Sequence, residues 1–299
     1  MANRETSTAP YLALIAVQLF FGSFPVIGKV VLKVVPAVSV VGFRVAITAI
    51  LLVIFQAFRG RIWLKDKSDY WRLAGLSLFG VVFNQFLFVT GLSLTKASNA
   101  SLLAVTIPIF ALTVGSMIGA ERLRGLKIAG IILAAVGVII IIDPRRASFS
   151  SETTLGDLLI VLNSLSFGIY VATSKAVVTR NGAFRSMMWV FVFAALICVP
   201  FGAYSFSHVD ISSIEPMIWL LIAYIATFAT AVPYLLNAWA LARVNPSTVA
   251  VFIYLQPLIG FLMAVIFLGE QVDFKFFIAA ALIFAGVFLA TKKFVPIET

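Results

Sequence analysis

The chain has one cysteine, Cys198, and one histidine, His208, in 299 residues. A single cysteine forms no intramolecular disulfide, so pairing says nothing about redox compartment. There is no H-E-x-x-H pair of the kind that holds a catalytic zinc. Charge is also scarce, at 11% of residues, against about 25% in soluble domains. The twelve carboxylates are Glu5, Asp66, Asp69, Glu121, Asp143, Glu152, Asp157, Asp210, Glu215, Glu270, Asp273 and Glu298, and none falls in the middle of an apolar run. That argues against an intramembrane aspartate pair for proteolysis and against a buried carboxylate proton relay. No cofactor and no metal are expected.

What fills the chain is hydrophobic residues, at 62% with a mean hydropathy of +1.10. They fall into runs at 11–34, 39–58, 71–92, 97–118, 127–142, 157–180, 186–206, 216–242, 247–268 and 275–291. A helix needs about 20 residues to cross a hydrocarbon core of roughly 30 Å. The runs are too uniformly apolar for barrel strands, and a helix satisfies its own backbone in lipid. The spacing predicts an all-α polytopic membrane protein of ten transmembrane helices, with the lipid bilayer as its first partner. The N-terminal run lacks an A-x-A-like cleavage site and reads as a retained span.

The net charge of +10 does not point to nucleic acid. Arg59, Arg61, Lys65, Lys67 and Arg72 share one link. Arg122, Arg124 and Lys127 share another, Arg180 and Arg185 a third, and Lys292 and Lys293 the tail. All lie on one side if the spans alternate. The positive-inside rule then puts both termini in the cytoplasm of a cell, or inner, membrane, with these residues anchoring to lipid headgroups.

The pattern occurs twice. Ser98 and Ser247, Pro108 and Pro257, Glu121 and Glu270, Gly137 and Gly286 all stand 149 residues apart. Phe21-Gly22 and Phe167-Gly168, and Lys29 and Lys175, stand 146 apart. Two halves follow, 1–146 and 147–299, with five spans each. Five is odd, so the second half enters from the opposite side. Such inverted repeats build carriers with a midplane site between the halves.

The stretch Gly91–Ile142, with its mid-span proline, Gly/Ala-Glu-Arg end and Gly-rich span, resembles the EamA family of the drug/metabolite transporter superfamily. The second half repeats it as NPSTVAVFIYLQPLIGFLMAVIFLGEQV, with Gln271 where the first half has Arg122. The FGSFPVIGK segment at 21–29 and Arg44 in GFR also resemble family positions. The resemblance implies ten helices, a central cavity and transport, often export, of a small organic metabolite.

Polar groups inside spans are the site candidates, because lipid makes them costly unless paired or wet. They are Gln18 and Ser23 with Phe24 in the first span, and Asn84, Gln85 and Phe88 in the third. Asn163, Ser166 and Tyr170 follow in the sixth, Tyr234 and Asn237 in the eighth, and Tyr254 and Gln256 in the ninth. Such amides, phenols and rings suit a small polar metabolite with an apolar part; the competing reading is interhelical glue. Lys29, Arg44 and Lys175 are basic groups within spans, and Glu121 and Glu270 close two span ends, where capping or ion pairing at a gate is expected rather than substrate contact. Snorkelling competes with a pathway or gate role for the lysines and Arg44. Gly130, Ala134, Gly137 and Gly286 predict close helix approach, and Pro25, Pro108, Pro233 and Pro257 predict bends. The reading is a carrier for an amino acid or related amphipathic or anionic compound, exporting or exchanging. A channel or facilitative pore, and then an intramembrane serine–lysine enzyme, are its rivals. Oligomeric state is not legible.

Overall fold

The computed structural model describes residues 8–95, 100, 103–104, 106–122, 124–142, 154–256, 258–259 and 274–291. These form ten helices and no strand: α1 (Ala9–Val31), α2 (Ala37–Phe58), α3 (Ser68–Leu94), α4 (Thr106–Met117), α5 (Gly125–Ile142), α6 (Thr154–Asn181), α7 (Ala183–Phe206), α8 (Pro216–Leu241), α9 (Pro246–Val251) and α10 (Phe274–Thr291). Six of them, α1, α2, α3, α6, α7 and α8, are long and apolar enough to cross a bilayer. Helices α4, α5 and α10 are shorter and equally apolar, and α9 continues into a 3₁₀ turn at Phe252–Tyr254. An integral, polytopic membrane protein follows. Pro257, Glu270 and Gln271 lie outside the described residues.

Prolines start several helices where no donor is lost. Pro10, Pro216 and Pro246 stand in first turns. A single residue, Gly182, links α6 to α7 at φ +83°, a conformation that costs a side-chain-bearing residue strain. Pro25 does not end α1, which runs on to Val31.

Two helices widen in the middle. Leu78–Phe83 within α3 and Thr227–Ala231 within α8 are π-helical turns, starting 149 residues apart. Such turns leave carbonyls short of helical donors and recur at functional sites. Pro233 adds to this, because it has no N–H to give the carbonyl of Ala229, four residues back.

The helices pack mainly in pairs: α5 on α10, α2 on α7, α4 and α3 on α6, and α1 on α8. Glycine sets the closest approaches, as the small-residue pattern predicts. On α5 and α10, a Cβ at Gly130 would lie 2.7 Å from the Gly286 carbonyl, and one at Gly137 would lie 2.8 Å from the Ala279 carbonyl. On α2 and α7, Gly42 meets Gly202, where a Cβ on the first would stand 2.8 Å from the other's Cα. Outward faces carry exposed apolar residues such as Ile50, Phe55, Leu196, Phe201, Leu220 and Phe284, as lipid contact requires.

Candidate functional site

A cavity of about 110 Å³ lies among α1, α2, α3, α6, α8 and the segments around α4 and α9. Of the sequence-derived candidates, Phe24, Arg44, Asn84, Gln85, Phe88, Asn163, Tyr234 and Gln256 line it. Asn84 and Phe88 share its wall, as their four-residue spacing requires.

Arg44 is the only charged group in the lining among the described residues and is 4% exposed. Its guanidinium stacks 4.1 Å from the centre of the Phe24 ring. The π-turn of α8 holds it from behind. Nε donates to Thr230 Oγ1 at 3.0 Å, and Nη2 donates to the Ala229 carbonyl at 3.4 Å, the carbonyl that Pro233 leaves short. Thr230 Oγ1 in turn donates to the Ile225 carbonyl at 2.8 Å, and Thr48, one turn along α2, donates to the Ala226 carbonyl at 2.9 Å. No carboxylate pairs with Arg44 among the described residues. A guanidinium has five N–H groups, so three remain for a ligand.

The π-turn of α3 plays the matching part. Its Gly80 carbonyl accepts from Tyr234 at 2.8 Å and its Phe79 carbonyl from Ser166 at 2.7 Å. Tyr234 also meets Asn84 Oδ1 at 3.0 Å. One phenol hydrogen cannot serve both acceptors well. Turning the Asn84 amide over sets its NH₂ against the phenol oxygen and frees Oδ1. Asn163 Nδ2 donates to the Asn84 carbonyl at 2.7 Å. Gln85 is 2% exposed, and neither atom of its amide makes a hydrogen bond of acceptable geometry, although the Tyr234 phenol lies beside it. A buried amide left in that state is expected to meet a ligand or water.

The other candidates lie elsewhere. Gln18 accepts from Gln256 at 2.8 Å behind the lining. Ser23 bonds the Phe20 carbonyl and the Tyr224 hydroxyl. Tyr170 reaches Met187 Sδ and packs its ring on Gly80. Tyr254 and Asn237 are buried outside the lining. Lys29 is exposed, and Lys175 donates to the Val244 carbonyl at 2.7 Å. Glu121 binds Ser247 and Lys127. Glu270 lies outside the described residues.

Sequence reasoning passed over Phe21, Ala104, Ile107, Phe167 and Ile253 in the lining, and Thr230 behind Arg44. The repeat carried the signal for most of them. Phe21 and Phe167 stand 146 apart; Gln85 and Tyr234, Ala104 and Ile253, and Ile107 and Gln256 stand 149 apart. Each pair contributes both members to the same cavity.

Thr230→Val keeps the shape and removes the acceptor for Arg44 Nε. A loss of about 1 kcal/mol is expected, read as a lower unfolding temperature in detergent, with Thr230→Ser restoring it. An unchanged unfolding temperature would show that Thr230 does not hold Arg44.

The EamA-like transporter family matches this chain twice, over residues 8–143 and 154–292. An uncharacterized transporter of Archaeoglobus fulgidus is 25% identical over 283 residues, covering 94% of this chain and 96% of its own. A probable amino-acid metabolite efflux pump of Escherichia coli is 27% identical over 287 residues, covering 93% of each. A solved crystal structure superposes with a TM-score of 0.76 at 20% identity, covering 95% of this chain and 96% of that one, a likeness of fold. The chain belongs to the EamA-like transporter family.

Proposed function

We propose that this transporter is a carrier for an amino acid or a related amphipathic, anionic compound, and that it works by alternating access. The carrying observation is the pairing of the cavity wall: four pairs of residues, equivalent under the sequence repeat, meet around one space. A site on the symmetry element between two inverted halves, 1–146 and 147–299, belongs equally to both. Exchange of conformation between the halves then moves its opening from one face to the other. The double family match and the two π-turns at equivalent positions support the same division. The charge bias of the links supports cytoplasmic termini.

The chemistry of the wall supports the substrate class. Arg44 offers a forked donor for a carboxylate, the Asn84, Gln85, Asn163 and Gln256 amides offer neutral donors and acceptors, and Phe21, Phe24, Phe88 and Phe167 offer apolar faces. The name of the Escherichia coli relative supports it too. With no carboxylate in the lining among the described residues, exchange or facilitated movement is favoured over a buried carboxylate relay. Export or exchange is the proposed direction.

The test is flux into proteoliposomes with a panel of radiolabelled amino acids. Uptake is expected to saturate and to accelerate several-fold when the same amino acid is loaded inside. Flux that rises linearly with concentration and ignores internal substrate would make the protein a channel instead.

A further inference from the structure

At one end of the molecule the two halves are tied by side chains that have no part in the cavity. After α4, Gly119 at φ +70° turns the chain back, and the amides of Ala120 and Glu121 both bond the Gly115 carbonyl, at 2.8 and 3.0 Å. This aims Glu121 across the boundary between the halves. Its side chain is 2% exposed. Oε1 accepts the Ser247 backbone N–H at 2.7 Å. Oε2 accepts Ser247 Oγ at 2.6 Å and Lys127 Nζ at 2.7 Å. Three residues before Ser247, the Val244 carbonyl takes Lys175 Nζ. The short turn between α8 and α9 is therefore gripped from α6 and from the first half at once.

The same end also holds a second tie between the halves. Asp69 accepts from Arg180, Asn181 and Arg72 and is fully buried. The repeat separates the two ties. Asp69, Arg180 and Asn181 correspond to Ile218, Val34 and Val35, so nothing at the other end could replace them. Glu121, Ser247 and Lys175 correspond to Glu270, Ser98 and Lys29, the same three residue types. Ser98 and Glu270 lie outside the described residues. Tyr11 lies at this end, lining one basin with Glu121 and Val244, and Lys29 stands 18 residues along α1 from it, about 27 Å away and at the opposite end. It is exposed and makes no hydrogen bond or ion pair among the described residues, whereas its equivalent Lys175 is engaged.

We propose that Glu121, Ser247, Lys175 and the Val244 carbonyl form a releasable latch that holds the carrier shut at this end, and that breaking it opens the central cavity to this side. The proposal rests on the alternating-access reading. Water can substitute for the latch when it parts, because Glu121, Lys127 and Val244 line a basin of about 630 Å³ beside it. Among the described residues that basin shares no lining residue with the central cavity. Charge-assisted bonds hold firmly when dry and exchange readily with water, which a reversible closure needs.

The test reads which side of the membrane reaches the cavity. In a Cys198→Ser background, Ala104→Cys reports from the cavity wall, and Arg122→Cys in a separate protein marks the latch side. An impermeant maleimide is applied to right-side-out and to inverted membrane vesicles. Glu121→Gln and Lys175→Met are each expected to raise labelling of the reporter from the latch side, relative to the other side, by about fivefold or more. Lys29→Met is expected to leave the latch-side rate unchanged or lower it. Ser247→Ala, which removes one bond and keeps the backbone contact, serves if the stronger variants fail to fold, and should give a smaller shift of the same sign. A reporter that reacts in every variant with the unmutated side ratio overturns the latch and leaves the carrier reading intact. A reporter silent from both sides in every variant overturns the cavity reading, and the latch with it.

Discussion

Arg44→Gln is expected to cut uptake of the best substrate in an amino-acid panel by about 30-fold or more, because it removes the only charge that faces the cavity among the described residues. The selectivity should fall with it. The unsubstituted transporter should prefer the amino acid to its carboxamide, which has the same body without the carboxylate, and the variant should lose most of that preference. Arg44→Lys should recover little. A lysine cannot reproduce the Nε bond to Thr230 together with a fork aimed at the ligand. Stability should move the other way or not at all. Arg44 is buried without an anionic partner among the described residues, and replacing a buried charge with a neutral group of similar size is often neutral or stabilising. Transport assayed beside thermal unfolding in detergent separates the two effects. Equal losses for acid and amide would show that Arg44 serves only to fasten α2 to α8.

Gly286→Val is expected to abolish recovery of folded protein. A Cβ at Gly286 would stand 2.5 Å from the Ala134 amide nitrogen and 2.6 Å from the Gly130 carbonyl oxygen. Both neighbours are backbone, so no side chain can swing away. The α5–α10 pair must separate, and it loses the van der Waals contact that holds helices together in lipid. Overpacking of a core typically costs about 1–3 kcal/mol, and a backbone clash along a whole helix seam belongs at or above the upper end. Gly75→Ala is the control, since a Cβ there meets nothing within 4 Å. Size-exclusion chromatography of the two variants decides it. A monodisperse Gly286→Val protein with unchanged unfolding temperature would refute the seam.

The helices were legible because the cost of bare backbone in lipid is large and local. The run at 157–180 became α6 at Thr154–Asn181, and the run at 216–242 became α8 at Pro216–Leu241. The widening inside α3 and α8 was not legible. A π-turn repositions carbonyls without changing hydrophobicity, and only Pro233 left a trace of one. The same limit applied to the basic residues. Lys29, Arg44 and Lys175 read alike along the chain, and they ended exposed, stacked on Phe24 in the cavity wall, and bonded to a carbonyl of the next loop.

Taken alone, the order of residues determined a helical membrane protein, the positions of its six long apolar helices, the inventory of polar groups they carry and the twofold recurrence of landmarks. Each depends on composition or on spacing along one dimension. Tertiary structure decided which face of each helix turns inward. In water an amphipathic stripe announces that rotation, but in a membrane the lipid-facing and protein-facing sides are both apolar, and the stripe fades. Asn163 therefore reached the cavity wall while Asn237 on α8 did not, though both read as buried amides in the sequence. The choice was made by packing: glycine seams set the helix spacings, and freed carbonyls in the π-turns fixed Arg44 and Tyr234 where one ligand could meet both.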